Sequence, residues 1–157
     1  CGTYRFRLTR HLAGGESDKR LLFIMLNPSI ADASIDDPPI RKCMGFARLW
    51  GCGIVEVGNL FAYRSTDPKA LIAKGKSGVN VVGIENHMHL SEMIQFADKI
   101  VVAWGVNGAF QGRSREFAKQ FPSSVKPLWA LRVTKDGHPE HPLYIPYDTQ
   151  PVQWGRR

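Results

Sequence analysis

Arg20-Leu21-Leu22-Phe23-Ile24-Met25-Leu26-Asn27-Pro28-Ser29 is the stretch that decides the fold. Its continuous apolar run marks a strand buried on both faces, the kind found inside parallel sheets. It ends abruptly in a polar Asn-Pro-Ser motif. In open parallel sheets, ligands bind outside the carboxyl ends of the strands, so that ending also says where to look for function.

Working outward, three further short runs have the same character: residues 54–57, 99–103 and 128–133. Between them lie segments of helical spacing. Pro38-Pro39 suits a first helical turn, and Ile40, Cys43, Met44, Ala47 and Trp50 follow at helical intervals until Gly51 and Gly53. Ser65-Thr66-Asp67-Pro68 caps a short helix over 69–73, and a basic, glycine-bearing loop is expected over 74–79. Helices are expected over 85–97 and 112–121, the latter stopped by Pro122. At the amino end, residues 4–10 alternate in polarity and read as a leading strand. The cluster Gly14-Gly15-Glu16-Ser17-Asp18 turns it into the decisive run as an antiparallel hairpin. From Thr134 on, the chain reads as ordered loop. The expectation is an α/β fold: a three-layer α/β/α domain with a four-stranded, mainly parallel central sheet plus an N-terminal antiparallel strand. At 157 residues it makes one domain, 1–157.

Composition narrows the partners. Lys and Arg number 21 against 14 Asp and Glu, a formal charge of +7. That excess points to a polyanion: nucleic acid, DNA before RNA, or a nucleotide. No apolar run approaches the ~20 residues of a membrane span, and no signal-peptide pattern is present. Cys1 in place of Met suggests a trimmed start. None of the three cysteines forms a Cys-x-x-Cys pair, so reduced thiols in a cytoplasmic protein are expected, without metal or cofactor. A monomer is expected.

Polar groups gather at the strand ends. The first core strand leads to Asn27, Ser29, Asp36 and Asp37; the second to Asn59, Phe61 and Arg64; the third to Trp104, Gly105 and Asn107; the fourth to Lys135, His138 and His141. Carboxamides offer a donor and an acceptor together, which suits the edge of a nucleobase. Phe46 and Phe61 could stack on a base face. Histidines can donate where negative charge develops, and Asp37 can orient water or stabilise positive charge. Arg41 and Arg64 can meet phosphates. Each group has a plainer use: Asn-Pro as a turn, Asp37 as a helix cap, Phe46 and Trp104 as core. No Gly-x-x-x-x-Gly-Lys-Ser/Thr loop, Gly-x-Gly-x-x-Gly or Gly-x-Ser-x-Gly elbow occurs.

Four blocks carry a resemblance across nearly the whole chain: residues 26–33, 36–43, 59–68 and 134–144, which include Leu26-Asn27-Pro28-Ser29, Asp36-Asp37-Pro38-Pro39, Asn59-Leu60-Phe61-Ala62-Tyr63-Arg64 and His138-Pro139-Glu140-His141-Pro142-Leu143. They resemble the domain-of-unknown-function family numbered sixteen-forty-three, seen in bacteria and phages, which brings no settled activity. More distantly, the layout is similar to the uracil-DNA glycosylase superfamily. Phe23-Ile24-Met25-Leu26-Asn27-Pro28-Ser29 resembles its first motif, of Gly-x-Asn-Pro-Gly type, with Leu26 and Ser29 departing from its pattern. The resemblance implies that Asn27 positions the attacking water and Asn59 reads the base. It further implies that Phe46 stacks on the base, His141 supports its departure, and Leu143 wedges into DNA.

Three functions follow as expectations. The first is hydrolysis of an N-glycosidic bond to a base, modified or not, in DNA. Asn27, His141 and Asp37 would be catalytic, with Asn59, Phe46, Phe61 and Ser29 around the base and Arg41, Arg64, Lys135, His138 and Leu143 toward nucleic acid. The second is non-catalytic nucleic-acid or nucleotide binding on the same scaffold. The third is a small-molecule or metal-assisted hydrolase using Asp36, Asp37, His138 and His141.

Overall fold

The computed structural model describes residues 2–13, 17–32 and 34–155, so most of the expected 14–18 turn lies outside the described residues. Strand β1 (Leu8–His11) leads to β2 (Arg20–Met25), α1 (Pro38–Leu49), β3 (Ile54–Asn59), α2 (Pro68–Lys76) and α3 (Asn86–Phe96). Then come β4 (Lys99–Val102), α4 (Arg113–Gln120), β5 (Leu128–Ala130) and β6 (Val152–Gln153). Single-turn 3-10 segments precede α4 and occupy Pro142–Tyr144.

The six strands form one mostly parallel sheet in the order β1-β3-β2-β4-β5-β6. β2 pairs parallel with β3 and β4, and β4 pairs parallel with β5. The apolar run of β2 therefore sits mid-sheet, where both its neighbours and both its faces are covered. Leu21, Phe23 and Met25 join one buried cluster with Ile40, Cys43, Phe46 and Ala47 of α1. Leu22, Ile24 and Leu26 join another with Leu71 of α2, Leu90 and Met93 of α3 and Phe117 of α4. Complete burial of side chains such as Leu22, Phe23 and Ile24 stabilises the fold by about 1.5–3 kcal/mol each. Cys43 and Cys52 are buried free thiols.

Two expectations are corrected. The leading strand does not form a hairpin with β2. It pairs antiparallel with β3, Leu8 opposite Val57 and His11 opposite Ile54. The pairing continues upstream: Tyr4 bridges Tyr63, and the Arg5 amide donates to Ala62 O at 2.9 Å. Because the two run antiparallel, residues 3–5 arrive at the carboxyl end of β3. The sheet also has a sixth strand where loop was expected. β6 adds antiparallel to the free edge of β5, covering ladder groups that would otherwise face solvent. Smaller differences follow local chemistry. Helix α2 begins at Pro68, with Asp67 Oδ1 accepting from Lys69 N, and runs to Lys76, absorbing part of the expected basic loop. No helix among the described residues is long and apolar enough to cross a membrane.

Candidate functional site

A cavity of about 410 Å³ opens at the carboxyl ends of β2, β3 and β4. Its apolar walls include Met25, Leu26, Ile40 and Val57. Asn27, Ser29, Asp37, Asn59 and His141 all line it. Residues far apart in the chain meet here because parallel strands deliver their endings to one rim. The His141 loop is anchored from below by Gly105, whose amide donates to Pro139 O at 2.7 Å. Gly105 adopts φ of +72°, a left-handed conformation that glycine takes without a Cβ penalty.

Asn27 lies two residues beyond Met25, past the end of the β2 ladder. Its Nδ2 donates to Ser65 O at 2.8 Å and Pro28 O at 3.0 Å, tying the β2 loop to the β3 loop. Its Oδ1 has no hydrogen-bond partner among the described residues. Asp37 is the N-cap of α1: Oδ1 accepts from Ile40 N at 3.1 Å, and Oδ2 accepts from Ser29 Oγ at 2.5 Å. Only 6% of Asp37 is exposed, so this carboxylate is held by two neutral donors in a nearly dry setting.

Asn59 is 3% exposed, and its Oδ1 is buried with no hydrogen-bond partner. Trp104, 2% exposed, also borders the cavity, but its ring packs on Phe117 and Trp154, where its indole Nε1 is buried and unpaired. Buried polar atoms are nearly always hydrogen-bonded, so the unpaired Asn59 acceptor in a residue that lines the cavity marks a group held ready for something else.

His141 caps the 3-10 turn that follows it, its Nδ1 accepting from Leu143 N at 3.3 Å. That bond fixes the neutral tautomer with its proton on Nε2. By surface area His141 is exposed at the cavity wall, while the protein atoms packed around the ring partly desolvate it. Burial pushes its pKa below the ordinary value, and the negative charge of Asp37 only partly opposes this.

Not every expected residue reaches the cavity. Phe46 is fully buried against Trp50 and Tyr147, and Phe61 is fully buried against Phe110. Neither ring lines the cavity, so neither offers a free face for stacking; both are core. Arg41 is exposed on α1 and donates to Asp36 O, Lys135 is exposed, and Leu143 sits just behind His141. His138 is half-buried in the turn made by Thr134, away from the cavity lining. Arg64 is near enough for its charge to act on Arg5 but does not line the cavity. Asp36 pairs with Arg10 at 2.7 Å, so the quartet Asp36, Asp37, His138 and His141 is not assembled. Among the described residues no three His, Cys, Asp or Glu side chains converge as metal ligands.

Arg5 is the residue that sequence reading missed. It lines the cavity, and its Nε and Nη1 are buried without a hydrogen-bond partner. Burial lowers its pKa, and Arg64 acts in the same direction, against Asp37. In the sequence Arg5 is one polar position of an alternating strand; only the pairing with β3, which nothing local signals, brings it to this rim.

The model of a protein family described as "Protein of unknown function (DUF1643)" matches residues 5–143, and the chain belongs to that family. No curated protein and no solved structure matches the chain.

Proposed function

We propose that this cavity binds a nucleobase attached to its sugar and hydrolyses the N-glycosidic bond between them. The observation that carries this is the buried, unpartnered carboxamide oxygen of Asn59 in a cavity also lined by Asn27 and His141. At about 410 Å³ the cavity falls within the range, about 300–1,000 Å³, of pockets that enclose small ligands. Asn59 then reads the base edge. With Phe46 and Phe61 in the core, the base faces are covered by aliphatic walls rather than by stacking.

In the reaction the C1′–N bond breaks and its electron pair leaves with the base. Asn27 Oδ1, its Nδ2 fixed by the loop carbonyls, accepts a hydrogen bond from the attacking water. The water oxygen bonds to C1′. Its proton passes to Ser29 Oγ as the Ser29 proton passes to Asp37, whose charge also favours the oxocarbenium-like state. His141 donates from Nε2 to the departing base, which takes up a proton from solvent. Its depressed pKa keeps this neutral donor form at pH 7. The fold this reading assigns is the three-layer arrangement of the uracil-DNA glycosylase superfamily. Support comes from α1 packing with one face of β2 and α2, α3 and α4 with the other. The charge of +7 supports a phosphate-bearing substrate.

The test is release of free base, followed by chromatography. Substrates are DNAs bearing uracil, mispaired thymine or hypermodified bases, together with the corresponding nucleosides and nucleotides. His141→Ala should slow release by about 10²–10³-fold, the effect of removing one donor to developing charge. No base from any substrate, with wild type and Asn27→Ala indistinguishable, overturns the proposal.

A further inference from the structure

Three arginines lie on the segment leading into and through β1. Arg7 meets Glu56 at 2.8 Å and Arg10 meets Asp36 at 2.7 Å. Arg5 has no salt bridge and no side-chain hydrogen bond among the described residues, although its guanidinium carries five N–H donors. Asp37, the carboxylate that acts most strongly on its charge, has both oxygens engaged, by Ile40 N and Ser29 Oγ. Burying a guanidinium unpaired is expensive, and arginine is the side chain best matched to phosphate oxygens. The lining of the same cavity also includes Ser65 and Thr66.

We propose that Arg5 seats a terminal phosphate, so that the substrate is a free nucleoside monophosphate, with its base at Asn59 and its phosphate at Arg5. The identity of the base half rests on the function proposed above; the phosphate half rests on Arg5 alone. A phosphodiester within a DNA strand supplies the same oxygens, but a strand must pass in and out of the mouth. Arg5 Nε and Nη1 are buried and Arg5 belongs to the cavity lining, so a phosphate that pairs with the guanidinium has to enter the cavity. That favours the small, terminal phosphate.

Calorimetric titration of the full chain separates the possibilities. The probes are inorganic phosphate, a panel of nucleoside 5′-monophosphates, the matching nucleosides, and single-stranded DNA of the same bases. At least one monophosphate should bind roughly tenfold or more tighter than its nucleoside, the scale of one or two charge-assisted hydrogen bonds. Inorganic phosphate should compete with it. Arg5→Gln should abolish the preference and Arg5→Lys should keep part of it. Because Arg5→Gln changes a buried charge, its melting curve is recorded alongside, and the wild-type comparison stands without it. Equal affinity for nucleoside and monophosphate overturns the inference, as does a preference that survives in folded Arg5→Gln, or binding by DNA alone. Phosphate binding through Arg5 with no gain from any base would leave the phosphate seat standing and sink the base reading. Base release from nucleosides with no gain from phosphate would do the reverse.

Discussion

Asn27 and Asn59 line the same cavity but should respond oppositely to replacement. In Asn27→Ala the Nδ2 hydrogen bonds to Ser65 O and Pro28 O are lost, and with them the tie between two loops. Each such bond contributes about 0.5–1.5 kcal/mol net, so the variant should lose about 1–3 kcal/mol. For a chain of this size that lowers Tm by roughly 2–12 °C. Asn59 makes no side-chain hydrogen bond among the described residues, and its buried Oδ1 is unpaired. An unsatisfied buried acceptor carries a desolvation penalty of about 1–3 kcal/mol. Asn59→Leu, of similar shape, removes that penalty and should be as stable as wild type or more so, while abolishing ligand binding. Urea unfolding measures both variants, compared through the midpoint at constant slope. If Asn59→Leu loses as much stability as Asn27→Ala, Asn59 is a structural residue, and holding it ready for a ligand is refuted.

His141 should make stability depend on pH. Its folded pKa lies below the unfolded value of about 6.5, so as pH falls through that window the unfolded state takes the proton first and the fold loses stability. Relative to His141→Gln, wild type should weaken between pH 7.5 and 5 in urea unfolding; a relative gain on acidification contradicts the burial argument. Phe46→Ala should cost about 3–5 kcal/mol, as a core deletion does, and a monophosphate should still bind the folded fraction with unchanged affinity by calorimetry. Gly53→Ala places a Cβ against the Ser17 carbonyl oxygen, part of the backbone, and should destabilise by about 1–3 kcal/mol or more in thermal melts.

The central strands and their endings were legible because their signals are local. An apolar run such as 21–26 has to be buried on both faces, and Asn27-Pro28 has to end it. Asp37 before Pro38-Pro39 had two readings, helix cap and site carboxylate. The structure makes it the cap of α1 and also puts it on the cavity wall, since the start of that helix borders the strand ends. What sequence could not supply was strand partnership. The hairpin reading of β1 and β2 used only their adjacency, whereas β1 gains its neighbour at β3, where Arg7 and Thr9 reach the buried Glu56. Phe46 and Phe61 failed as stacking residues for a related reason: helical or strand-end spacing gives the face of an element, not which layer that face meets.

The same pairing decides the chemistry of the site. The upstream arm of β1 runs antiparallel along the chain that follows β3 and delivers Arg5 to the cavity opposite the endings of β2 and β4. Asp37 acts electrostatically on both Arg5 and His141, yet bonds to neither within salt-bridge distance. A positive group, a carboxylate and a neutral imidazole donor thus line one cavity without neutralising each other. If Asp37 and Arg5 were a closed ion pair, an incoming phosphate would have to displace a carboxylate from its partner. With Asp37 held by Ser29 and the α1 backbone, the guanidinium keeps its donors. On the function proposed above, the arrangement suits a substrate that brings an anion to one end and develops positive charge near the other.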